Sequence, residues 1–433
     1  MAVTGLLSAA AIVLSACGTA AGSGGSESAQ PGDNVIRIEY VHRLPDGPGM
    51  IPVVDMVEKW NAAHPNIQVT ATKFTGKSSE LVTKLRTDVA NKNAPCLAQV
   101  GYGEAPEMLV GNLLEDVSGE ASKYKGNYND AAYSQMSVGG KMVGLPQDTG
   151  PLVYLYNEAE FNALGIEVPR TFDELLEAAK KAAAQGKYIL DFEPDEAGYW
   201  LSAQAAAAGA VWYSTVDNKW RINTTDEKTQ VVAKFWQDIL DAQAALTNKR
   251  ADDSYEQALT NGSLIGNIAP AWEIGYALDK LDGTPYEGQW RVAKLPTLGG
   301  VRMTGPDGGS GVAVMKGCQH KTEAMEFNNW LNTQVADLAS QGLLPAAKGT
   351  VTTPEKTLRQ FGNQDVYQVL AEANGELSTQ WDYIPGFSTV VQKMEEKADE
   401  VVAGGAKVTD IFTVTESTSK ETLKESGLPV ADN

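Results

Sequence analysis

"VIRIEYVHRLPDGPGMIPVVDMVEKWNAAHPNIQVTATKF" (Val35–Phe74) sets two strand-like segments on either side of a helical one. "VIRIEY" is rich in β-branched and aromatic residues, which fit a pleated, half-buried surface. Val53, Met56, Val57 and Trp60 then recur at three- and four-residue spacing, the period of a helix that buries one face. Pro52 suits the first turn of that helix. "NIQVTA" alternates again as a strand. A strand–helix–strand unit of this length joins parallel neighbours, so the stretch predicts an α/β fold with a largely parallel sheet.

The alternation continues outward. Leu81, Val82, Leu85 and Val89 mark a second helix, and "CLAQVGYG" (Cys96–Gly103) a third strand. "TFDELLEAAKKAAAQG" carries a capping box from Thr171 to Glu174 and closes on Gly186. A second box is expected from Thr224 to Glu227, ahead of a buried stripe of Val232, Phe235, Trp236 and Ile239. Phe327, Leu331, Val335 and Leu338 face inward on a later helix, and the last hundred or so residues read as mainly helical. No repeat of solenoid or propeller period is present. Two domains' worth of chain without a Pro/Gly-rich linker predicts lobes that exchange segments rather than beads on a string.

The 433 residues carry a net charge of −20, which excludes nucleic acid or an anionic lipid surface as the main partner. Leu6 to Ala16 is apolar or small throughout, too short to span a bilayer and the right size for a signal-peptide core, so residues 1–16 are read as a signal peptide. "MAVTGLL" has no Lys or Arg for the charged leader of such a peptide, which predicts a start upstream of Met1. "GTAAGSGGSESAQPGDN" (Gly18–Asn34) can bury nothing and is expected to be a flexible tether.

Chemistry motifs fail one by one. "GYGEAP" (Gly101–Pro106) follows a strand, but Pro106 replaces the last glycine of a dinucleotide fingerprint, and no cofactor is expected. "GGSGV" lacks the final glycine of a nucleophile elbow. Carboxylates are abundant, yet none is singled out as half of a catalytic pair. Cys17, Cys96 and Cys318, with His42, His64 and His320, form no metal-ligand spacing. The chain therefore reads as a protein without enzymatic activity.

The order of landmark segments resembles the extracytoplasmic solute-binding proteins of ABC importers, in the carbohydrate-binding family that includes maltose-binding protein. "VEKWNAAHPNIQV" (Val57–Val69) is similar to the family's first helix and second strand. "GYGEAPEMLVGNLLEDVS" (Gly101–Ser118) is similar to the stretch presenting ligand contacts. The most specific segment is "VGLPQDTGPLVYLYNEAEFNALGIEVPRTFDELLEAAK" (Val143–Lys180), a crossing strand followed by a capped helix. "ALTNGSLIGNIAPAWEIG" (Ala258–Gly275) resembles the segment closing on a stacking tryptophan. Later crossings are expected near "PTLGGVRMTGPDGGSGVAV" (Pro296–Val314) and "GLLPAAKGT" (Gly342–Thr350).

The resemblance implies a type II periplasmic-binding-protein-like fold, two α/β lobes joined by crossing hinge segments. Residues 35–150 and 306–348 would form the N-lobe, and 151–305 and 349–433 the C-lobe. It further implies a monomeric receptor that holds an oligosaccharide in the cleft and delivers it to ABC permease subunits, without nucleic acid. "LSAC" (Leu14–Cys17) looks like a lipobox, which would lipidate Cys17 and hold the protein on the outer face of the cell membrane. An even pair of cysteines then remains, and both a Cys96–Cys318 disulfide and two buried free thiols fit. A surface-anchored glycoside hydrolase and a receptor for peptides or another polar solute stay open as alternatives.

Sugars present flat C–H faces and a rim of hydroxyls, so their sites combine aromatic platforms with fixed polar partners. Trp60, Trp236 and Trp330 lie in amphipathic helices and are read as core; Trp212, Trp220 and Trp290 are read as structural. Trp200, Trp272 and Trp381 stand beside Gly or Pro, where loops and element ends carry function. The resemblance raises Trp272 above the others as the stacking residue. Tyr102 and Glu104 after the third strand, Asp148 before the first crossing, Glu273 beside Trp272 and Tyr383 beside Trp381 are the candidate polar partners. His42 and Arg43 join them at the carboxyl edge of the first strand.

Overall fold

The computed structural model describes residues 35–250 and 252–431. The signal peptide, Cys17 and the tether fall outside the described residues.

The opening stretch folds as its pattern predicts. Strand β1 (Ile36–His42) leads into a helix, Val53–Ala63, that buries Val53, Met56, Val57 and Trp60. Strand β2 (Ile67–Lys73) then pairs in parallel with β1 along its whole length, from Ile36 opposite Ile67 to His42 opposite Lys73. The Trp60 indole N–H donates to the Ile67 carbonyl at 3.1 Å, tying the helix to the strand it feeds. After the helix Ser78–Ala90, strand β3 (Leu97–Gly101) pairs in parallel with β1 on its other side.

From there the sheet departs from the expected parallel order. A short hairpin of β4 (Ser137–Val138) and β5 (Lys141–Met142) precedes β6 (Gly144–Thr149). Strand β7 (Leu152–Asn157) follows two residues later in a different sheet. A second hairpin, β8 (Tyr213–Val216) with β9 (Lys219–Ile222), comes before β10 (Gly266–Pro270) and β11 (Trp290–Lys294). Strands β12 (Ser310–Val314) and β13 (Leu344–Pro345) return to the first sheet. Its order is β13-β6-β12-β3-β1-β2, and the other sheet runs β10-β7-β11. The expectation of a largely parallel sheet is thus corrected. Strands β6, β12 and β13 pair antiparallel, as do all three strands of the smaller sheet. Strand β12 enters from a crossing between sheets rather than through a local strand–helix–strand unit, so nothing compels it to run with β1. Strand β6 on its far side again runs in the direction of β1, and β13 runs with β12.

The crossings at residues 149–152 and 305–310 lie side by side. Asp307 N–H donates to Gly150 O at 2.7 Å, and Leu152 N–H donates to Gly305 O at 3.2 Å. Pro151 and Pro306 face each other between these bonds. In an antiparallel pair that is a non-hydrogen-bonded position, so two residues without N–H groups leave no ladder bond unmade.

Four helices, Ala197–Ala207, Glu227–Asp241, Phe387–Val402 and Val408–Glu425, pack on one another. Val232, Phe235, Trp236 and Ile239 are buried as their spacing requires. Thr171 caps the helix Phe172–Ala183 by accepting from Glu174 N–H at 3.1 Å. The second expected box is displaced by two residues. Asp226 is the cap, accepting from Thr229 N–H at 2.7 Å, and Thr224 instead donates to Phe412 O. Asp226 sits where the extended backbone meets the first turn, and its side chain alone is at capping distance. The helix carrying Phe327 and Leu331 ends at Asn332, and Leu338 belongs to a second one, Val335–Ser340.

Cys96 and Cys318 are joined as a disulfide with their Cα atoms 4.8 Å apart and 222 residues between them in sequence. It clasps the residue before β3 to the loop after β12. A cross-link over so long a loop restricts the unfolded chain, so Cys96→Ser should lower unfolding stability by about 2–4 kcal/mol. Urea denaturation of the oxidised protein and the variant measures this; equal midpoints would contradict it.

Candidate functional site

The site is built around the second crossing, Gly305 to Ser310. Gly308 and Gly309 both hold left-handed backbone, with φ of 73° and 89°. A Cβ on Gly308 would lie 3.1 Å from the Trp272 indole nitrogen, and one on Gly309 would lie 2.8 Å from the Tyr102 ring. Two adjacent glycines therefore let an aromatic ring from each sheet approach the same turn. Trp272 follows β10, and its N–H donates to Asp307 O at 2.9 Å. Tyr102 follows β3, and its hydroxyl donates to Asp148 O at 2.8 Å.

On the larger sheet's side, Asp148 is buried at the end of β6. Its Oδ1 accepts from Ser310 N–H at 2.8 Å and from Ser310 Oγ–H at 2.6 Å. Burial raises its carboxyl from the ordinary 3.8 to about 6, with the two Ser310 hydrogen bonds opposing the rise. Ser310 Oγ accepts from Gln99 Nε2 at 3.0 Å, and Gln99 Oε1 accepts from Arg43 N–H at 2.7 Å. Arg43 and Asp148 are thereby linked, although the Arg43 side chain points to Gly76 O and stays exposed. His42 is buried, 4.0 Å from Asp46, and its Nδ1 has no hydrogen-bond partner among the described residues. Desolvation lowers its imidazole to about 4 and keeps it neutral at ordinary pH. Glu104 is buried and accepts from Tyr199 Oη–H at 3.1 Å, a bond that reaches from the larger sheet to the helix Ala197–Ala207.

Beneath Trp272 lies a charged cluster that sequence reading missed apart from Glu273. Arg250 stacks on the indole, its Cζ 4.9 Å from the ring centre. Its guanidinium pairs with Glu273 at 2.8 Å and Glu196 at 2.6 Å, with Glu193 at 3.8 Å. Burial pushes the carboxyls of Glu193, Glu273 and Asp307 upward, against the pull of Arg250. No local signal in the sequence joins these residues: Glu193, Glu196 and Arg250 stand in polar stretches, and Glu273 stands out only as the neighbour of Trp272.

The other aromatic candidates are placed differently. Trp200 sits inside a helix, not at a loop end, with its N–H on Ile268 O and its ring 4.7 Å from Trp236. Gly198, which suggested a turn, is instead a close contact: a Cβ there would lie 2.6 Å from Val391. Trp381 is also buried, 5.1 Å from Trp212. Tyr383 is nearer the seam, with its hydroxyl donating to Pro306 O at 3.3 Å and its ring 6.0 Å from Tyr199. Trp272 alone among these three tryptophans is only partly buried. Among the described residues no group of side chains is arranged to hold a metal ion, and no helix is long and apolar enough to cross a membrane.

A family model described as bacterial extracellular solute-binding protein matches residues 50–337. The galacto-N-biose-/lacto-N-biose I-binding protein of the ABC transporter from Bifidobacterium longum, solved in complex with lacto-N-biose, is 49% identical. That match covers 92% of this chain and 100% of the other, with a TM-score of 0.89. An ABC transporter associated binding protein from B. animalis subsp. lactis, solved with β-1,6-galactobiose, shares the fold at a TM-score of 0.77 and 23% identity. It covers 92% of this chain and 100% of that one. The cyclic α-maltosyl-1,6-maltose binding protein from Arthrobacter globiformis does so at 0.72 and 21%, over 90% and 100%. No curated protein sequence matches the chain.

The raised carboxyl of Asp148 sets a pH dependence whose sign is fixed. The folded state binds this proton more tightly than the unfolded chain, so ionising Asp148 above pH 6 costs stability, and the cost fades as pH falls toward 4. Asp148→Asn keeps an acceptor for both Ser310 bonds and removes the titration. Between pH 4 and pH 6 the variant should therefore gain on the wild type by on the order of 1–3 kcal/mol. Urea midpoints at four pH values test this, and a difference that does not change with pH would refute it.

Proposed function

The chain belongs to the family of bacterial extracellular solute-binding proteins, and on that premise we propose that it receives an oligosaccharide between its two sheets, against Trp272. The observation that carries this reading is the meeting of a partly exposed indole from one sheet and a tyrosine from the other on a single glycine turn. An indole offers the flat apolar face that a sugar ring requires, and buried polar groups fixed by their own hydrogen bonds stand beside it. Residues 35–150 and 306–348 form the N-lobe in this reading, and 151–305 and 349–433 the C-lobe. The sugar gains contacts from both lobes only when they are closed, so it shifts the opening equilibrium by that difference in affinity. ABC permease subunits take the sugar from the closed form, and no bond in it is made or broken by this chain.

Tyr102, Glu104, Asp148, Tyr383, His42 and Arg43 supply polar contacts or orient them. Glu273 acts beneath the indole rather than on the sugar. Trp200 and Trp381 support the site from the core. The likeness to the lacto-N-biose-binding protein supports lacto-N-biose and related oligosaccharides as the first ligands to try. Cys17 bears the lipid that keeps the receptor at the membrane, and residues 18–34 give it reach.

Calorimetry with lacto-N-biose and β-1,6-galactobiose is the direct test. For a sugar that binds, Trp272→Ala should weaken binding by about 2–4 kcal/mol, or roughly 30- to 1000-fold. Unchanged affinity would remove Trp272 from the site. Cys17→Ala should move the protein from the membrane fraction to the medium; retention on membranes would contradict the anchor.

A further inference from the structure

We propose that Arg250 is a positioning residue for the Trp272 indole, stacked on one face and locked there by Glu273 and Glu196, so that the plane offered to the sugar is fixed before binding. The proposal rests on the reading of Trp272 as the sugar platform and goes beyond it, because Arg250 acts through the ring.

Three restraints converge on this indole. Its N–H is tied to Asp307 O at 2.9 Å, and that edge abuts Gly150 and Gly308. One hydrogen bond still leaves a ring free to rock about the bonded edge. The guanidinium 4.9 Å from the ring centre removes that freedom by occupying one face. The guanidinium in turn cannot drift. Nη1 is bonded to Glu273 and Nη2 to Glu196, with Glu193 beyond, and the Arg250 backbone N–H donates to Asp195 at 3.0 Å. The Arg250 side chain is 13% exposed, and Trp272 likewise is only partly buried. The guanidinium covers one face of the ring, which leaves the other for the sugar. A ring already held in its binding orientation loses little freedom when ligand arrives, which is how preorganisation raises affinity. The planar, stacking shape of arginine is essential here, because lysine supplies the charge but not the flat cover.

The two contributions separate in Arg250→Lys, which leaves the carboxylates a cation. With lacto-N-biose as the probe, Arg250→Lys should weaken binding 5- to 20-fold in the wild-type background and less than 2-fold in the Trp272→Ala background. Its melting temperature without sugar should stay close to that of the wild type. The same loss in both backgrounds, or no loss in either, would overturn the proposal. Near-ultraviolet circular dichroism supplies a readout that needs no sugar. The difference between wild type and Trp272→Phe isolates the signal of this indole, and Arg250→Lys should reduce it at least 2-fold. An unchanged signal overturns the proposal. If lacto-N-biose fails to bind the wild type, the proposed ligand fails, while the spectrum still decides the role of Arg250.

Discussion

Everything at the seam depends on two backbones lying in direct contact. The crossings at 149–152 and 305–310 are hydrogen-bonded to each other, and a Cβ on Gly150 would overlap the carbonyl of Asp307. A Cβ on Gly305 would overlap the carbonyl of Ala203, in the helix Ala197–Ala207. Close approach of this kind is possible only where side chains are absent, and it fixes where each sheet ends. Strand β6 stops at Thr149 and β12 starts at Ser310, so Asp148 and Ser310 are brought to bonding distance by the same ribbon that carries the chain across. The prolines at its centre, with their fixed φ, make the ribbon stiff without costing it a hydrogen bond.

That ribbon also decides the electrostatics. It carries Asp307 into the neighbourhood of Glu196 and Glu273, with Arg250 as the cation that pairs with these two and with Glu193. Burying several carboxylates around one guanidinium opposes their ionisation, because the desolvation of each works against its share of the attraction. The upward shifts of Glu193, Glu273 and Asp307 are the result.

What could be read from the sequence was what depends on neighbours a few residues apart. Helical period placed Val53, Met56, Val57 and Trp60 inward, and Thr171 could be recognised as a cap from Glu174 three residues on. Strand direction could not be read in the same way. Whether β12 runs with or against β3 depends on a crossing about two hundred residues later, and no local pattern encodes that. Gly198 shows the same limit at one residue. A glycine beside aromatic residues reads as a turn, but here it marks the contact between two helices, which left Trp200 misplaced on a loop. Tyr102, Asp148 and Trp272 lie close to one turn, and family resemblance rather than spacing pointed to them.

Arg250 marks where reading by residue type stops. An arginine in "NKRADD" has the composition of a solvated loop, and most such residues are solvated. Its burial follows from three acidic residues of two separate segments, Glu193 and Glu196 just before the helix Ala197–Ala207 and Glu273 just after strand β10, which converge only after that helix and strand have packed. Each of these charges would be costly to bury alone, so the cluster must assemble as a unit or not at all. Its assembly requires the same packing that brings Trp272 against Asp307. The orientation of the indole is thus a consequence of tertiary structure reaching completion, and a sequence pattern confined to "NIAPAW" can mark the ring but not the plane in which it lies.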